Sequence, residues 1–490
     1  MSVVRISDDA VALALGADAL ATAFERQGAT VERVSSWGMH WLEPLVDFGG
    51  VGYGNATPAD VPAILAGTAA SIGRIEEHPF IAPQQRLTFA RAGRTRPLSL
   101  EDYAASGGWE GLMRARETGS AATLEEVMIS GLRGRGGAGF PAGIKWKTVA
   151  DTSAPQKYIV CNADEGDSGT FADRMVMEGD PYMLIEGMAI AGHAVGADKG
   201  YVYIRSEYPH AIAKMRAAIE RCAHIIAPFT VEIRVGAGAY VCGEETSLLN
   251  SIEGRRGEVR AKPPLPAIKG LFGQPTVINN VLTLAAVPWI LSQGGAAYAA
   301  YGMGRSRGTM PIQLAGNVRH GGLYETAFGI TLEELVNGIG GGTASGRPVR
   351  AVQVGGPLGA YIPVSQFGLP FDYEAFAAAD ALIGHAGITV FDDSVDMARM
   401  ARFALEFCAA ESCGKCTPCR LGSVRGVEVM DQIIAGRDVD TNVALIEDLS
   451  ETMKFGSLCA LGGFTPYPVM SALTHFREDF MIQESAETIA

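Results

Sequence analysis

The chain has 490 residues, enough for about three or four domains with hydrophobic cores of their own. Its formal charge of −14 argues against a nucleic-acid-binding surface, although basic segments such as Arg255–Lys262 could meet the phosphates of a dinucleotide. The hydrophobic share is 48%, yet no run approaches the ~18–20 apolar residues of a membrane span, and the first residues lack a signal-peptide pattern. We therefore expect a soluble, cytoplasmic protein that uses neither nucleic acid nor a membrane.

Residues 1–80 predict a small α/β module. Its predicted elements are a strand at Val3–Ile6, a helix at Ala10–Gln27, a strand at Thr30–Val34 and a helix at Pro58–Ala66. This order resembles the thioredoxin-like domains of electron-transfer complexes. The module has no cysteine, so it offers no thiolate for a cluster, and we expect a docking or scaffold role. Residues 81–120 are predicted to be an irregular linker.

A Gly-rich stretch, Gly131–Lys147, follows a predicted helix at Leu124–Leu132. Within it, Gly134–Gly139 spells G-x-G-x-x-G, and Pro141 is suited to the start of a helix. Glycines let the backbone approach a ligand closely, and the free N–H groups at a helix start favour phosphate. Taken alone, such a stretch is equally compatible with an ordinary turn before a helix.

Three short apolar runs predict further strands of an α/β domain: Lys157–Cys161, Gly200–Ile204 and Thr230–Val235. The first run ends in a polar loop, Asn162–Arg174. The third leads to a second Gly-rich turn and a helix whose first turn contains Glu244 and Glu245. Acidic residues suit that end of the helix dipole, so a purely structural role for this pair stays open.

Residues 301–390 predict a β-rich module, with β-type runs at Met310–Ala315 and Val349–Val354 and a helix near Thr331–Gly338. Beyond Asp393 the pattern is helical, with a further helix at about Arg420–Ala435. Four residues recur at helical spacing and are expected to pack in a core: Met397, Met400, Phe403 and Phe407.

Four of the eight cysteines form a recognisable metal-binding pattern. Cys413, Cys416 and Cys419 read C-x2-C-x2-C, and Cys459 follows after a long gap. Three close thiolates and one remote one are typical of a [4Fe–4S] cluster. Zinc, which prefers two separated C-x2-C pairs, and free thiols are the alternatives. The remaining cysteines lie in apolar or loop contexts and are expected to be structural: Cys161, Cys222, Cys242 and Cys408.

Six motifs together resemble those of the NADH-binding, 51 kDa-type flavoprotein subunit of respiratory complex I and its soluble relatives. They are GRGGAGFPAGIKW (Gly134–Trp146), CNADEGDSGTFADR (Cys161–Arg174), GAGAYVCGEET (Gly236–Thr246), PTVINNVLTL (Pro275–Leu284), ESCGKCTPCR (Glu411–Arg420) and SLCALG (Ser457–Gly462). The resemblance implies an α/β multidomain fold. Its parts are a thioredoxin-like domain without cluster ligands (1–80), a linker (81–120), a Rossmann-like FMN- and NAD-binding domain (121–300), a β-grasp module (301–390) and a helical bundle that binds [4Fe–4S] (391–490).

The resemblance also implies site residues for FMN and NAD. Those expected to hold FMN are Gly134, Arg135, Gly136, Gly137, Gly139, Lys145, Asn162, Asp164, Tyr240, Gly243, Asn279, Asn280 and Thr283. Those expected at the nucleotide are Phe140, which would stack on it, and Glu165, Asp167, Glu244, Glu245 and Lys262. Glu165, Asp167 and Glu245 are the candidates for a catalytic role. Hydride passes directly from nicotinamide to flavin, so no general acid or base is strictly required.

Two departures from the complex I pattern narrow the expected function. Leu265 and Thr148 stand where complex I members commonly have Phe, which reduces the aromatic clamp to Phe140. The loop reads DEGDSGTF, and with the cysteine-free N-terminal module it points to the β (diaphorase) subunit of an NAD-linked molybdenum or tungsten formate dehydrogenase. The implied partners are NAD(H), a catalytic formate dehydrogenase subunit with iron–sulfur clusters, and a small [2Fe–2S] thioredoxin-like subunit. FMN would take two electrons at once and release them singly.

Three other functions remain open. The chain could be the equivalent subunit of an NAD-reducing hydrogenase, or the flavoprotein subunit of complex I itself. A different class is a flavin-free electron-transfer scaffold, against which Lys145, Asn279, Asn280 and the glutamate pair argue.

Overall fold

The computed structural model describes residues 3–481. The outermost residues of the predicted 1–80 and 391–490 domains, 1–2 and 482–490, lie outside this range. The fold combines three sheets of four or five strands, a short two-stranded ladder and a C-terminal group of helices. This confirms the α/β multidomain class predicted from the sequence. Within residues 3–481 no helix is both long and apolar enough to cross a membrane.

The N-terminal domain is built on a four-stranded sheet of order β2-β1-β3-β4. Its elements are β1 (Val3–Ser7), α1 (Ala10–Ala14), α2 (Ala17–Arg26), β2 (Thr30–Val34), β3 (Val46–Phe48), β4 (Val51–Tyr53) and α3 (Val61–Leu65). The parallel pair β1–β2, joined by helices, is extended by antiparallel β3, an arrangement typical of thioredoxin-like domains. The single predicted helix at 10–27 is broken at Gly16, whose φ of +100° no helical residue adopts.

Residues 81–120 correct a prediction, because they are not wholly irregular. They contain α4 (Leu100–Ala105) and α5 (Glu110–Thr118). Tyr103 and Trp109 are buried in the same hydrophobic core as the central sheet. Both are tied to the buried Glu186 carboxylate, which accepts hydrogen bonds from the Tyr103 hydroxyl (2.5 Å) and the Trp109 backbone N–H (2.8 Å). Prolines and arginines suggested a linker, but aromatic burial decides the conformation.

The central domain has an all-parallel sheet of order β7-β6-β5-β8. Its strands are β5 (Tyr158–Ala163), β6 (Lys199–Arg205), β7 (Thr230–Gly236) and β8 (Thr276–Asn280). Its helices are α6 (Ser120–Ile129), α7 (Ala142–Asp151), α8 (Ala172–Gly179), α9 (Pro181–Val195), α10 (Pro209–Ile226), α11 (Glu245–Ile252), α12 (Pro266–Lys269), α13 (Val281–Ala285), α14 (Val287–Gln293) and α15 (Gly295–Ala299). The strand order reverses between β5 and β8, and ligands of open parallel sheets bind at such a switch point.

The next segment forms a five-stranded mixed sheet of order β12-β11-β15-β13-β14. Its elements, with the ladder that precedes them, are β9 (Gly302–Met303), β10 (Ser306–Arg307), β11 (Thr309–Gly316), β12 (Gly322–Ala327), β13 (Val349–Val354), β14 (Tyr361–Pro363), α16 (Tyr373–Ala378) and β15 (Gly387–Asp392). The helical segment predicted near 331–338 is present as a short π-helix at Glu334–Ile339.

The C-terminal region is helical, as predicted. It consists of α17 (Met397–Glu411), α18 (Thr417–Ile434), α19 (Val439–Gly456), α20 (Ala460–Phe464) and α21 (Pro466–His475). Of the residues predicted to pack in its core, Met397 is buried, whereas Phe403 is 54% exposed, so that prediction is wrong for Phe403. Phe407 packs edge-on against Tyr240 of the central domain, with ring centroids 4.9 Å apart.

Candidate functional site

A cavity of about 560 Å³ opens at the carboxyl ends of β5 and β8. Its volume falls in the ~300–1,000 Å³ range of ligand pockets. Most of the residues predicted for FMN and NAD line it: Gly134, Gly136, Gly137, Phe140, Lys145, Asn162, Asp164, Glu165, Asp167, Tyr240, Gly243, Glu244, Glu245, Lys262, Asn279, Asn280 and Thr283. Leu265 and Thr148 line it as well.

The Gly-rich loop forms one wall of the cavity, and its backbone packs too closely there for a side chain at Gly136. A Cβ atom at Gly136 would lie 2.9 Å from the Cβ of Asn280, and Gly137 has a φ of +116°. Phe140, half exposed, also lines the cavity, and α7 begins immediately after Pro141. The backbone can therefore approach a cofactor at a place where any larger residue would intrude.

Two predicted residues of this loop do not line the cavity. The guanidinium of Arg135 is buried and donates to the Tyr298 hydroxyl (2.9 Å) and the Arg307 carbonyl (2.6 Å). Gly139 has a φ of +59° and lies against the Tyr373 ring. The structure thus gives both residues a part in supporting the loop rather than in lining the cavity.

Three asparagines lie where the parallel strands end. Asn162 on β5 is paired in register with Asn280 on β8, next to Asn279. The Asn162 side chain donates to the Gly243 carbonyl (2.8 Å), and Asn279 accepts from the Trp146 indole (2.8 Å). These second contacts fix the orientation of the amides, which can offer donors and acceptors to hydroxyls and ring edges.

Asp164 is the clearest sign that the cavity binds a polar ligand. Its Oδ2 atom is buried and has no hydrogen-bond partner within the described chain, and burial raises the pKa of this carboxyl to about 7. Buried polar atoms are rarely left unpaired, so a hydroxyl or N–H group of a bound cofactor fits this place. Burial likewise raises the pKa of Asp167, which accepts a hydrogen bond from the Tyr240 hydroxyl at 2.7 Å.

The two adjacent glutamates have different surroundings. Glu244 caps α11 by accepting hydrogen bonds from the backbone N–H groups of Thr246 (2.8 Å) and Ser247 (2.9 Å). Lys262 also contacts Glu244, with its Nζ at 3.0 Å. Glu245 lies between two lysines, with Nζ of Lys262 at 2.6 Å and Nζ of Lys145 at 3.6 Å. Burial opposes ionisation of Glu245, but these lysines hold its pKa below the usual value. The structural interpretation of the pair therefore applies to Glu244, whereas Glu245 pairs with lysines in the cavity wall.

His385 and Asp173, which sequence reasoning did not select, join Glu165 in the cavity wall. The Nε2 atom of His385 lies 3.1 Å from Asp173 and 3.3 Å from Glu165. Burial opposes the charged imidazole, but the two carboxylates raise the pKa of His385 well above its usual value. Asp173 belongs to the motif Cys161–Arg174. His385 is 212 residues further along the chain, in a segment without a recognisable local pattern.

The predicted cluster cysteines converge at two helix starts. Cys416 and Cys459 are the residues preceding α18 and α20, and Cys419 is in the first turn of α18. A Cβ at Gly462 would lie 2.7 Å from the Cβ of Cys419, so α20 closes tightly against that turn. Cys459 also lines the cavity described above. A thiolate set with one face toward the flavin cavity fits a [4Fe–4S] cluster.

Cys408 is a further thiol close to this group. It lies on α17, is fully buried, and shares a hydrophobic cluster with Cys419. Burial raises the pKa of Cys408 to about 12 and also that of Cys459 to about 11, so what sets Cys408 apart is that Cys413, Cys416 and Cys459 are partly accessible. These surroundings suit a neutral, structural thiol.

Together the parallel sheet, the Gly-walled cavity and the adjoining cysteines define a flavin- and nucleotide-binding iron–sulfur protein. Two family models match: the Nuo51 FMN-binding domain over residues 127–289, and the iron–sulfur binding region of NADH-ubiquinone oxidoreductase-F over residues 399–483. The second match includes all four cysteines proposed as ligands, and Cys408.

Similar proteins extend the match over most of the chain. The NADP-reducing hydrogenase subunit HndC of Solidesulfovibrio fructosivorans is 43% identical over 407 residues, which are 81% of this chain and 83% of that protein. A subunit of the NADH-quinone oxidoreductase of Rhizobium meliloti (strain 1021) is 45% identical over 394 residues, 78% of this chain and 93% of that protein. The crystal structure of an air-oxidised NAD+-reducing [NiFe]-hydrogenase superposes with a TM-score of 0.73 at 31% identity, covering 98% of this chain and 84% of that one.

The chain therefore belongs to the family of 51 kDa-type NADH-binding flavoprotein subunits. FMN, NAD(H) and a [4Fe–4S] cluster are its cofactors.

Proposed function

We propose that this chain is a diaphorase subunit that exchanges hydride between NAD(H) and FMN and passes single electrons to or from its [4Fe–4S] cluster. The observation that carries this proposal is that one cavity is lined both by the Gly-rich loop and by Cys459. FMN, when bound, supplies the conversion between two-electron and one-electron chemistry. Because a cluster ligand lines the same cavity, the single electrons have a short path between FMN and the cluster.

The side chains of the cavity then bind and orient rather than transfer protons. Asp164 supplies an acceptor for a cofactor hydroxyl or N–H group, and Lys145 supplies positive charge against phosphate or reduced flavin. Glu245 is placed to accept hydrogen bonds from ribose hydroxyls of the nucleotide, and its charge would repel the extra phosphate of NADP. Phe140 provides a face for the nucleotide base, with Leu265 and Thr148 giving smaller contacts.

For the partner we propose a molybdenum- or tungsten-dependent formate dehydrogenase subunit, so that the complex converts formate and NAD+ to CO2 and NADH. This step rests on the DEGDSGTF loop and on the cysteine-free N-terminal domain. A second candidate is an NAD-reducing hydrogenase, favoured by the solved hydrogenase that superposes on 98% of this chain, N-terminal domain included.

An anaerobic NADH titration of the isolated chain, followed by visible absorbance and low-temperature EPR, tests the diaphorase proposal. We expect flavin bleaching together with a reduced [4Fe–4S] signal. A cluster that responds to dithionite but not to NADH would overturn it.

Metal analysis of the complex purified through this chain tests the partner. Molybdenum or tungsten with formate-dependent NAD+ reduction supports the first candidate. Nickel with hydrogen-dependent reduction supports the second and overturns the first.

A further inference from the structure

His385 lies between acceptors on both sides of its ring. Its Nδ1 atom is 2.8 Å from the carbonyl oxygen of Arg135, and its Nε2 atom lies between the carboxylates of Asp173 (3.1 Å) and Glu165 (3.3 Å). All three side chains are buried. A neutral imidazole has a single N–H and would leave the acceptors on one side of the ring without a donor, so this arrangement of acceptors favours a doubly protonated ring.

The other charges near this trio are directed elsewhere. Arg174 pairs with Glu178 at 2.8 Å, and Arg205 pairs with Glu207 at 2.9 Å while also donating to the backbone carbonyl of Glu165. In the cavity wall, Lys145 and Lys262 face Glu244 and Glu245, and the remaining carboxylates are Asp164 and Asp167. Among these groups His385 is the cation that faces Glu165 and Asp173.

Together with Asn280, the trio joins four separate parts of the chain. His385 precedes β15 of the five-stranded sheet, Glu165 follows β5, and Asp173 lies in the first turn of α8. Asp173 accepts a hydrogen bond from the Asn280 side chain at 2.7 Å, and Asn280 is a predicted FMN contact at the end of β8. Glu165 is held in turn by the backbone N–H groups of residues 173 and 174 (both 3.0 Å) and by the Tyr208 hydroxyl (3.1 Å).

Resting on the proposed function, we propose that His385 is a positioning residue that balances the charge of the FMN site and thereby raises the FMN reduction potential. A hydride carries two electrons and one proton, so its transfer from NADH adds one negative charge to FMN while the nicotinamide becomes positive and leaves as NAD+. Two uncompensated carboxylates in the wall would oppose that charge, and the buried imidazolium offsets one of them. Through Asp173 and Asn280 the same ring also fixes an amide that faces the cofactor.

The test is the FMN midpoint potential of the holoprotein, measured by redox titration at fixed pH in four forms: wild type, His385→Gln, Asp173→Asn and the double variant. His385→Gln should lower the affinity for reduced FMN relative to oxidised FMN about tenfold, which is a shift of about 30 mV to more negative values. Asp173→Asn should shift the potential in the opposite direction, and the double variant should return close to wild type. His224→Gln, at an exposed position on α10, is the matched control and should leave the potential unchanged.

Opposite signs distinguish charge balance from structural support. Single variants that shift the potential in the same direction, or leave it unchanged, would overturn the inference. If His385→Gln fails to retain FMN, the upward shift in Asp173→Asn is still required, and the double variant must recover FMN in a fluorescence titration.

The wild-type protein provides two further checks. One equivalent of a divalent metal other than cluster iron, lost in both single variants, would make the trio a metal site and overturn the inference. A wild-type protein without response to NADH would defeat the proposed function instead, because the potentials can still be measured with a chemical reductant.

Discussion

The N-terminal and central sheets both have buried polar side chains where parallel strands end, and the cavity described above opens at the central sheet. At the N-terminal sheet, Glu43 accepts hydrogen bonds from Ser7 (2.7 Å) and Ser36 (3.1 Å). Asp8 pairs with Lys214 of α10 at 2.8 Å. Asp9 at the N-terminal sheet and Asp164 at the central sheet each keep a buried oxygen without a hydrogen-bond partner in the described chain, and of these two residues it is Asp164 that lines the cavity.

The difference lies in what covers the strand ends. The N-terminal sheet is covered by the central domain, whose α8 contributes Glu178 to accept the Ala10 backbone N–H at 2.9 Å. The central sheet is covered by a loop of glycines, which fills little space. Buried polar residues at a sheet edge therefore indicate a binding site only where the covering segment leaves room for a ligand. Four predictions test this comparison, in order of decreasing effect.

Removing a cluster thiolate should have the largest effect. We expect Cys416→Ser to abolish the [4Fe–4S] EPR signal while FMN remains bound, because the cysteines adjoin the cavity without filling it. Cys459→Ser should behave in the same way. Cys408→Ser is the control and should retain the cluster. If Cys408→Ser loses the cluster and Cys459→Ser retains it, Cys408 rather than Cys459 is the fourth ligand.

A side chain added to the Gly-rich loop should close the space at the strand ends of the central sheet, as the central domain does at the N-terminal sheet. Gly136→Val should weaken FMN binding by at least about 100-fold, since its first added carbon already lies 2.9 Å from Asn280. Fluorescence titration of the apoprotein measures this. Gly368→Val is the matched control, because a Cβ there meets no atom within 4 Å. Full flavin content in Gly136→Val would contradict the assigned place of the loop.

The two adjacent glutamates should separate ligand binding from helix capping. Glu245→Gln should raise the KM for NADH about tenfold with little change in Tm, as expected for loss of a charged hydrogen bond to the ligand. Glu244→Ala should lose about 1 kcal/mol of stability with the cap it provides. Steady-state kinetics and thermal melts of both variants decide. Equal effects of the two substitutions on Tm and on KM would contradict the assignment.

The smallest effect should come from the N-terminal sheet, whose strand ends are covered by the central domain. Burial, with Asp9 nearby, raises the pKa of Glu43 to about 7, so the folded state prefers the protonated carboxyl. The stabilisation that comes from the protonated Glu43 is fully present below pH 4.5, the pKa of Glu43 in the unfolded chain, and is lost as the pH rises through 7. Glu43→Gln should therefore gain a few degrees in Tm relative to wild type between pH 5 and pH 8. Glu25→Gln, on the exposed face of α2, is the control, and a pH-independent difference for Glu43→Gln would contradict the closed-sheet description.

Local sequence was enough to predict those strands, helices and motifs whose structure depends mainly on residues close together in the chain. The strands β1, β2, β5, β6 and β7 have short apolar or alternating runs, and each lies within a residue or two of its predicted position. The Gly-rich loop and the C-x2-C-x2-C run are recognisable because a close backbone approach and a cluster both demand fixed residue types at fixed spacing. The same holds for the helical C-terminal region.

Contacts between distant segments decided the rest. Residues 81–120 have little local pattern, and their second half contains two helices, where Tyr103 and Trp109 are buried and hydrogen-bonded to Glu186. Arg135 belongs to the loop motif, yet its side chain turns away to Tyr298. His385 reaches the cavity because the loop before β15 pairs with the Gly-rich loop through Gly384 and Gly137, which brings His385 to Asp173 across 212 residues of sequence. Periodicity and motif spacing carry no information on such distances, since burial and charge pairing are properties of the folded chain.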